Sequence, residues 1–397
     1  MVRPIHELAP GVRGVVVAPA RPRSLPVGAR GLRWIVAEHP VPGRGSFRAG
    51  RCVLDEVQSA APGDTILVLL SGGASSLLEC PALGLTPAEV RAAHRVLLTA
   101  GLPIAEWNRI RSCLSALKGG GLRLAAGHRR VITLALSDVP GDDPAIIGSG
   151  PTVVPPAAAR SVRAGGPGSL GTAMDLLRAR GLDRILSPRV WAALEGEEHA
   201  DQRLRSGRPT RAGRNARSVY VVVGSNADAR QAAAAEARRL GYVVRRRAAL
   251  LTGEAARAGT SFGRGLGPAP AGRPLCVVAG GETTVHIAGP AGQGGRNQEF
   301  GLAAARAVRA RGWAVLAAGT DGRDGTTPAA GALLDATMLA RVSRGSVDAA
   351  LRHHDVYPLL ARLGALVETG PTGTNVMDLA LALNFERGVL AGTPPAR

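Results

Sequence analysis

Residues 65–76 read Thr65-Ile66-Leu67-Val68-Leu69-Leu70-Ser71-Gly72-Gly73-Ala74-Ser75-Ser76. A short apolar run that breaks into small residues reads as a buried strand turning toward a helix. The same reading extends outward. Val12–Val17, Trp34–Ala37 and Val131–Leu136 are further candidate strands, and Phe47–Ser59, Pro87–Ala100 and Asn108–Ala126 are candidate helices, the last with Asn108 as N-cap. Strands alternating with Ala/Leu-rich helices predict an α/β fold with largely parallel sheets.

From Pro155 to Asn215 the sequence loosens into Pro, Gly and Ser around a helix near Thr172–Arg180. The pattern restarts with a strand at Ser218–Val223, the turn Gly224-Ser225-Asn226 and a helix at Ala227–Leu240. Further strands are expected at Tyr242–Arg246, Leu275–Ala279, Thr283–Ile287, Ala314–Ala318 and Ala365–Glu368, with Gly263–Gly272 as a mobile loop. Two domains follow, 1–210 and 211–397, which suits a 397-residue chain.

Composition narrows the function classes. The chain is 45% hydrophobic and only 3% aromatic, so its cores rest on Ala, Val and Leu. No apolar run reaches the roughly 20 residues that span a bilayer, and Val15–Ala18 is too short for a secretory core. Cys52, Cys80, Cys113 and Cys276 are scattered, as in a reducing, cytoplasmic setting. The net charge of +19 invites a nucleic-acid reading. The arginines are dispersed, however, and aromatics are too few for a stacking platform, so neither nucleic acid nor membrane is expected as a partner.

The chemistry is expected at polar glycine loops that end strands. Ser71, Gly72, Gly73 and Ser75 offer backbone N–H groups and hydroxyls to an anion. Gly294-Gly295-Arg296-Asn297-Gln298-Glu299 opens a helix with a guanidinium, a phosphate-site pattern. Asp138 follows the strand Val131–Leu136, Glu282 follows Gly280-Gly281, and Thr320, Asp321 and Asp324 lie in a third loop. Asn375 closes Gly370–Asn375. On a helix over Asn108–Ala126, Arg111, Ser115 and Lys118 would share one face. Lys118 is the single lysine, which rules out a Walker-type loop, and no strand-linked G-x-G-x-x-G occurs. His353-His354-Asp355 reads as a helix end, because adjacent histidines on a helix diverge by about 100°.

These motifs resemble the glycerate 2-kinases whose C-terminal half is called the MOFRL domain. The matching runs are Glu38–Pro42, Ser71–Ser76, Asn108–Gly120, Ser137–Thr152, Gly280–Thr283, Gly294–Glu299, Gly319–Gly325 and Gly370–Asn375, in family order. The resemblance implies a Rossmann-like N-terminal domain, a mixed-sheet α/β C-terminal domain and an active cleft between them. It implies ATP, Mg²⁺ and D-glycerate, with 2-phosphoglycerate as product, and it admits a homodimer. Arg296, Lys118 and Asp138 are expected to be catalytic. Ser71, Gly72, Gly73, Ser75, Arg111, Glu282, Gly294, Gly295, Asn297, Thr320 and Asn375 are expected to bind substrate or phosphate, and Asp321 and Asp324 the metal. Asp138, Glu282, Asp321 and Asp324 remain alternatives for taking the 2-hydroxyl proton. Two other functions are a relative that only binds ligand and a hydroxypyruvate reductase, the label some relatives carry.

Departures from the family pattern carry expectations of their own. Relatives place a helix and a strand ending in Gly-Lys-Ala before the strand that matches Val12–Val17. Without it, neighbouring strands would be left unpaired, and the 397-residue chain is expected to be poorly stable and nearly inactive. An in-frame upstream extension of roughly 50–70 residues is the matching expectation, at ordinary element lengths.

Overall fold

The computed structural model describes residues 11–21, 31–100, 102, 104–154, 170–195, 218–268, 273–310 and 312–384. The chain divides into two compact units. One comprises Met1–Ala135 with Asp142–Val222, and the other Leu136–Gly141 with Val223–Arg397. The short segment carrying Asp138 therefore groups with the second half.

In the first unit, β1 (Gly14–Ala18) and β2 (Leu32–Val36) pair in parallel, Gly14 opposite Leu32. Helix α1 (Arg44–Ser59) follows, its first turn capped by Glu38, which accepts from the N–H groups of Gly45 and Ser46 at 3.2 and 3.1 Å. Strand β3 (Thr65–Leu70) pairs in parallel with β4 (Arg130–Leu136), and β5 (Ser218–Gly224) lies on the other side of β4. Among the described residues, β1 pairs only with β2, and β3 only with β4. A cavity of about 760 Å³ is lined by Val15 and Val17 of β1, Ile66 and Val68 of β3, and Val53 and Val57 of α1.

Helices α2 (Pro87–Thr99), α3 (Ile104–Cys113) and α4 (Leu170–Ala179) bury Leu97, Ile110, Met174 and Leu177 in one core. Side chains of this size contribute about 1.5–3 kcal/mol each when fully buried. Thr86 and Glu89 form a capping box with Pro87 behind it, which starts α2.

The helix expected over Asn108–Ala126 is broken. It begins earlier, at Ile104, and stops at Cys113, so Asn108 is interior rather than an N-cap. Residues 114–116 pair with 80–82 instead: Ala82 N–H donates to Leu114 O at 3.0 Å and Ala116 N–H to Cys80 O at 2.8 Å. Gly119 and Gly120 then take φ of +56° and +90°, a region few side chains tolerate, before a single turn over Gly121–Ala125. Arg111, Ser115 and Lys118 thus do not share a helix face.

The second unit adds α5 (Asn226–Arg239), β6 (Val243–Arg246), α6 (Ala255–Arg264), β7 (Leu275–Gly281), α7 (Arg296–Ala307), β8 (Trp313–Gly319), β9 (Gly331–Asp335), α8 (Arg344–Arg352), α9 (Val356–Leu363), β10 (Leu366–Val367) and β11 (Asp378–Asn384). The sheet order is β10-β9-β8-β11-β7-β6. Only β6 and β7 run parallel; β7–β11, β11–β8, β8–β9 and β9–β10 are antiparallel, so the sheet is mixed, as the resemblance implies, rather than largely parallel as the strand–helix alternation alone suggests.

Further expectations need correcting here. Thr283–Ile287 is not a strand: after Gly281 the chain leaves the sheet and Thr284 bridges to Glu254. Gly263 is not in a loop but in α6. A Cβ on Gly259 or Gly263 would lie 2.3 or 2.1 Å from the Phe300 or Ala304 carbonyl oxygen, so both glycines are required for α6 to lie against α7. Residues 269–272 of the expected loop lie outside the described residues. No helix among the described residues is long and apolar enough to cross a membrane.

Candidate functional site

Register brings the second unit's polar residues together. Asp378, the first residue of β11, stands opposite Gly281 at the end of β7 and Gly319 at the end of β8. Glu282 and the Thr320-Asp321 loop therefore emerge beside it, and α7 opens with Arg296 there. The Arg296 guanidinium grips Asp378 with both ends of its fork, Nε to Oδ2 at 2.6 Å and Nη2 to Oδ1 at 3.0 Å. Its Nη2 also lies 3.1 Å from Glu282 Oε1. Among the described residues, Nη1 forms no hydrogen bond.

The surrounding loops are sewn to this pair. Thr320 Oγ1 donates to Met377 O at 2.6 Å and accepts from Val376 N–H at 2.8 Å. Asn375 Nδ2 reaches Asp138 Oδ2 at 3.5 Å, and its Oδ1 accepts from Met377 N–H at 3.1 Å. Asp321 Oδ1 accepts from Arg323 N–H at 3.0 Å. Arg296, Glu282, Asp138, Thr320, Asp321 and Asn375 thus form one neighbourhood, centred on Asp378.

The charges are interdependent. Burial works against the charged guanidinium of Arg296, but the hydrogen bonds and charge of Asp378, with Glu282, outweigh it and hold the cation firmly protonated. Glu282 is shifted the other way. Burial raises its pKa, and Asp378, Asp138 and Asp321 reinforce that against the pull of Arg296. Glu282 thus has an enhanced proton affinity.

The N-terminus of α7 is already filled. Asp324 Oδ1 accepts from Asn297 N–H at 3.0 Å, Oδ2 from Gln298 N–H at 2.8 Å, and Asn297 Nδ2 adds a contact at 3.2 Å. Gly295 leaves the room this needs: a Cβ there would lie 2.3 Å from Asp324 Cγ. Gly294 is packed less tightly, with a Cβ there 2.7 Å from Val356 Cγ2. The helix end that the sequence offers to phosphate is therefore taken by the chain's own carboxylate, as the N–H groups and dipole favour. Both Asp324 oxygens face the helix end, and no group of three His, Cys, Asp or Glu side chains able to hold a metal exists among the described residues. Asp324 thus serves as the cap of α7 rather than standing free beside Asp321 as half of a metal pair. Asp324→Ala should cost on the order of 3 kcal/mol in a urea melt, since two buried N–H groups lose their acceptor. Loss of divalent-cation binding at unchanged stability would reinstate the metal role.

In the first unit, Ser71 is exposed and Gly72 and Gly73 half-buried, with Gly73 at φ +82°. Ser75 Oγ lies 2.9 Å from Ser149 Oγ, which in turn donates to Asn108 Oδ1 at 3.4 Å. This relay runs from half-buried Ser75 to buried Ser149 and Asn108 and holds the loop in place.

Lys118 and Arg111 sit elsewhere, around Glu79. Lys118 Nζ pairs with Glu79 Oε2, and His94 Nε2 lies 3.2 Å from the same oxygen. All three are buried. Burial pushes the Glu79 pKa upward, but the Lys118 charge and the His94 contacts more than reverse this and hold it at about 2. Arg111 is buried with its guanidinium 4.8 Å from the Trp107 ring centroid, and burial lowers its pKa to about 10 against the opposing Glu79 charge.

Sequence reading missed Asp378, Glu79, His94 and Ser149 as members of these groups. Asp378 had only a weak signal, a lone carboxylate at the head of the apolar run Leu379-Ala380-Leu381-Ala382-Leu383, whose composition does not distinguish strand from helix. His353 is the C-cap of α8, as the helix-end reading expects, and the Nδ1 of His354 lies 2.9 Å from Glu299 Oε1.

Comparison with known proteins adds the following. A family profile described as a domain of unknown function (DUF4147) matches residues 1–195, and one described as the MOFRL family matches residues 275–378. The chain is 37% identical to a putative hydroxypyruvate reductase of Agrobacterium vitis, over 90% of this chain and 78% of that protein. It is 33% identical to the glycerate 2-kinase of Pyrococcus horikoshii, over 89% and 78% of the two chains. A crystal structure of a glycerate kinase from Thermotoga maritima superposes with a TM-score of 0.75 and 32% identity, covering 94% of this chain and 85% of that one.

Proposed function

Because the chain belongs to the glycerate kinase family whose C-terminal half is the MOFRL domain, we propose that it phosphorylates D-glycerate from ATP at the 2-hydroxyl. Glycerate phosphorylation is its reaction, and it is a phosphotransferase. The observation that carries this reading is Arg296, charged, clamped by Asp378 and, among the described residues, with Nη1 free of hydrogen bonds.

Phosphoryl transfer asks mainly for positioning and for neutralisation of charge on the transferring group. A guanidinium fixed on two sides meets that demand without reorganising as the reaction proceeds. Glu282 is our choice to take the 2-hydroxyl proton. It is 41% exposed, its proton affinity is raised, and its neighbour Asp378 is committed to Arg296. The Ser71–Ser76 loop supports a role in cradling a phosphate or the glycerate carboxylate. Mg²⁺ enters this reading with the nucleotide, as MgATP, and no step is assigned to a protein-held metal. We place the reductase reading second, because the sequence contains no strand-linked G-x-G-x-x-G.

Incubation with ATP, Mg²⁺ and D-glycerate should give 2-phosphoglycerate in the phosphorus NMR spectrum. Sole formation of 3-phosphoglycerate would overturn the regiochemistry. NADH oxidation with hydroxypyruvate, without phosphoryl transfer, would overturn the kinase reading itself.

A further inference from the structure

We infer that Asn226 is the positioning residue of the Asp378–Arg296 pair, acting through the backbone on either side of Met377. The consequence for turnover rests on the phosphoryl-transfer reading above; the geometric claim does not.

Asn226 is the first residue of α5 and is 2% exposed. Its Nδ2 donates to two backbone carbonyls, Val376 O and Asp378 O, each at 2.9 Å. Two carbonyl acceptors also decide which end of the amide is nitrogen. Between them Met377 takes φ +67°, a left-handed conformation that a non-glycine residue keeps only when its surroundings enforce it. That bend is where the chain passes from the Asn375 loop into β11. It sets Asp378 toward Arg296 and Asn375 toward Asp138.

The same turn holds the other side of the site. Gly224 O, two residues earlier, accepts from Ser137 N–H at 2.8 Å, which fixes the segment carrying Asp138. Asn226 is wedged in place, since a Cβ on Gly280 of β7 would lie 2.4 Å from its Oδ1. The helix does not need Asn226 to start. Ser225 and Asp228 already form a capping box, with Ser225 N–H donating to Asp228 Oδ2 at 2.9 Å. The Asn226 amide is therefore directed at residues about 150 positions away in sequence.

The test compares Asn226→Asp and Asn226→Ala in the full chain. A carboxylate at the first turn suits a helix N-terminus, so a helix-starting role predicts that Asn226→Asp behaves like wild type. The positioning role predicts that it is the worse variant, because a carboxylate then faces two carbonyl oxygens. Amide hydrogen exchange should speed up on the order of 10-fold or more at residues 376–379 while the α5 amides stay protected, as a local opening requires. With ATP and D-glycerate, kcat should fall on the order of 10²-fold, the scale of a small misplacement of a reacting group, with KM changing by less than about threefold. Asn226→Ala should move both readouts in the same direction by less, and it decides the question if Asn226→Asp does not fold. Wild-type exchange at 376–379, or an unchanged kcat, in whichever variant folds overturns the proposal. If the wild type does not phosphorylate glycerate, the functional reading falls alone and the exchange measurement still decides on Asn226.

Discussion

Arg296→Ala should lower kcat on the order of 10²- to 10³-fold, the range seen when one preorganised charge-stabilising group is removed. The stability change is separate and also predictable. Asp378, only 7% exposed, would lose the partner that neutralises it and face Glu282 and Asp321 unpaired. Breaking a buried pair by deleting one member costs about 3–5 kcal/mol, and the partial exposure of Arg296 places this case at the lower end. Urea melts and kcat, measured on the same preparation well below the unfolding midpoint, keep the two effects apart. Arg296→Lys should recover part of the stability and little of the turnover. An ammonium restores the charge but not the two-point grip on Asp378 together with the contact to Glu282. Near-normal turnover in Arg296→Ala would remove this residue from the reaction.

The largest stability effect is expected at Glu79. Glu79→Ala leaves Lys118 and His94 buried beside a void, and about 3–5 kcal/mol is at stake against a total stability of about 5–15 kcal/mol. Glu79→Leu combined with Lys118→Met should recover part of that loss, because the Lys118 charge leaves with its partner while buried Arg111 still loses the Glu79 charge. The pH dependence follows from the directions of the shifts. Glu79 has a folded pKa of about 2, below the ordinary unfolded value of about 4.3. The unfolded chain thus binds the proton first, and the stability Glu79 contributes is full above that unfolded value and drains as pH falls toward 2. His94 shifts the same way: burial lowers its pKa against the pull of Glu79, so its acid loss begins near the ordinary histidine value, about 6.5. Melts from pH 7 downward should show wild type losing stability in both ranges, and Glu79→Ala losing the lower component. A cost below about 1 kcal/mol for Glu79→Ala would mean that water reaches this cluster and screens it.

Much of the site was legible from local pattern. Glycine loops at strand ends follow from what a chain must do when a buried strand turns, and Arg296 after Gly294-Gly295 announces a helix start with a cation. Those are properties of a few adjacent residues. The β11 strand was not legible in the same way, because Leu-Ala-Leu-Ala-Leu favours a helix as readily as a strand. Its identity comes from pairing along all seven residues with both β7 and β8.

The amino-acid sequence by itself determined the α/β class, the positions of most strands and the polar glycine loops that gather around Arg296 and Asp378. Each rests on periodicity, turn chemistry and buried apolar runs, which neighbouring residues impose on one another. Only the tertiary structure decided what each charged group is for. Asp324 became a helix cap, Lys118 became the partner of Glu79, Asp378 became the clamp on Arg296, and Asn226 came to hold the bend at Met377. The physical reason is that a charge or an amide is assigned by whatever it meets after burial. Those partners lie between 26 and 152 residues away, brought into contact by strand register and chain closure rather than by anything written beside them.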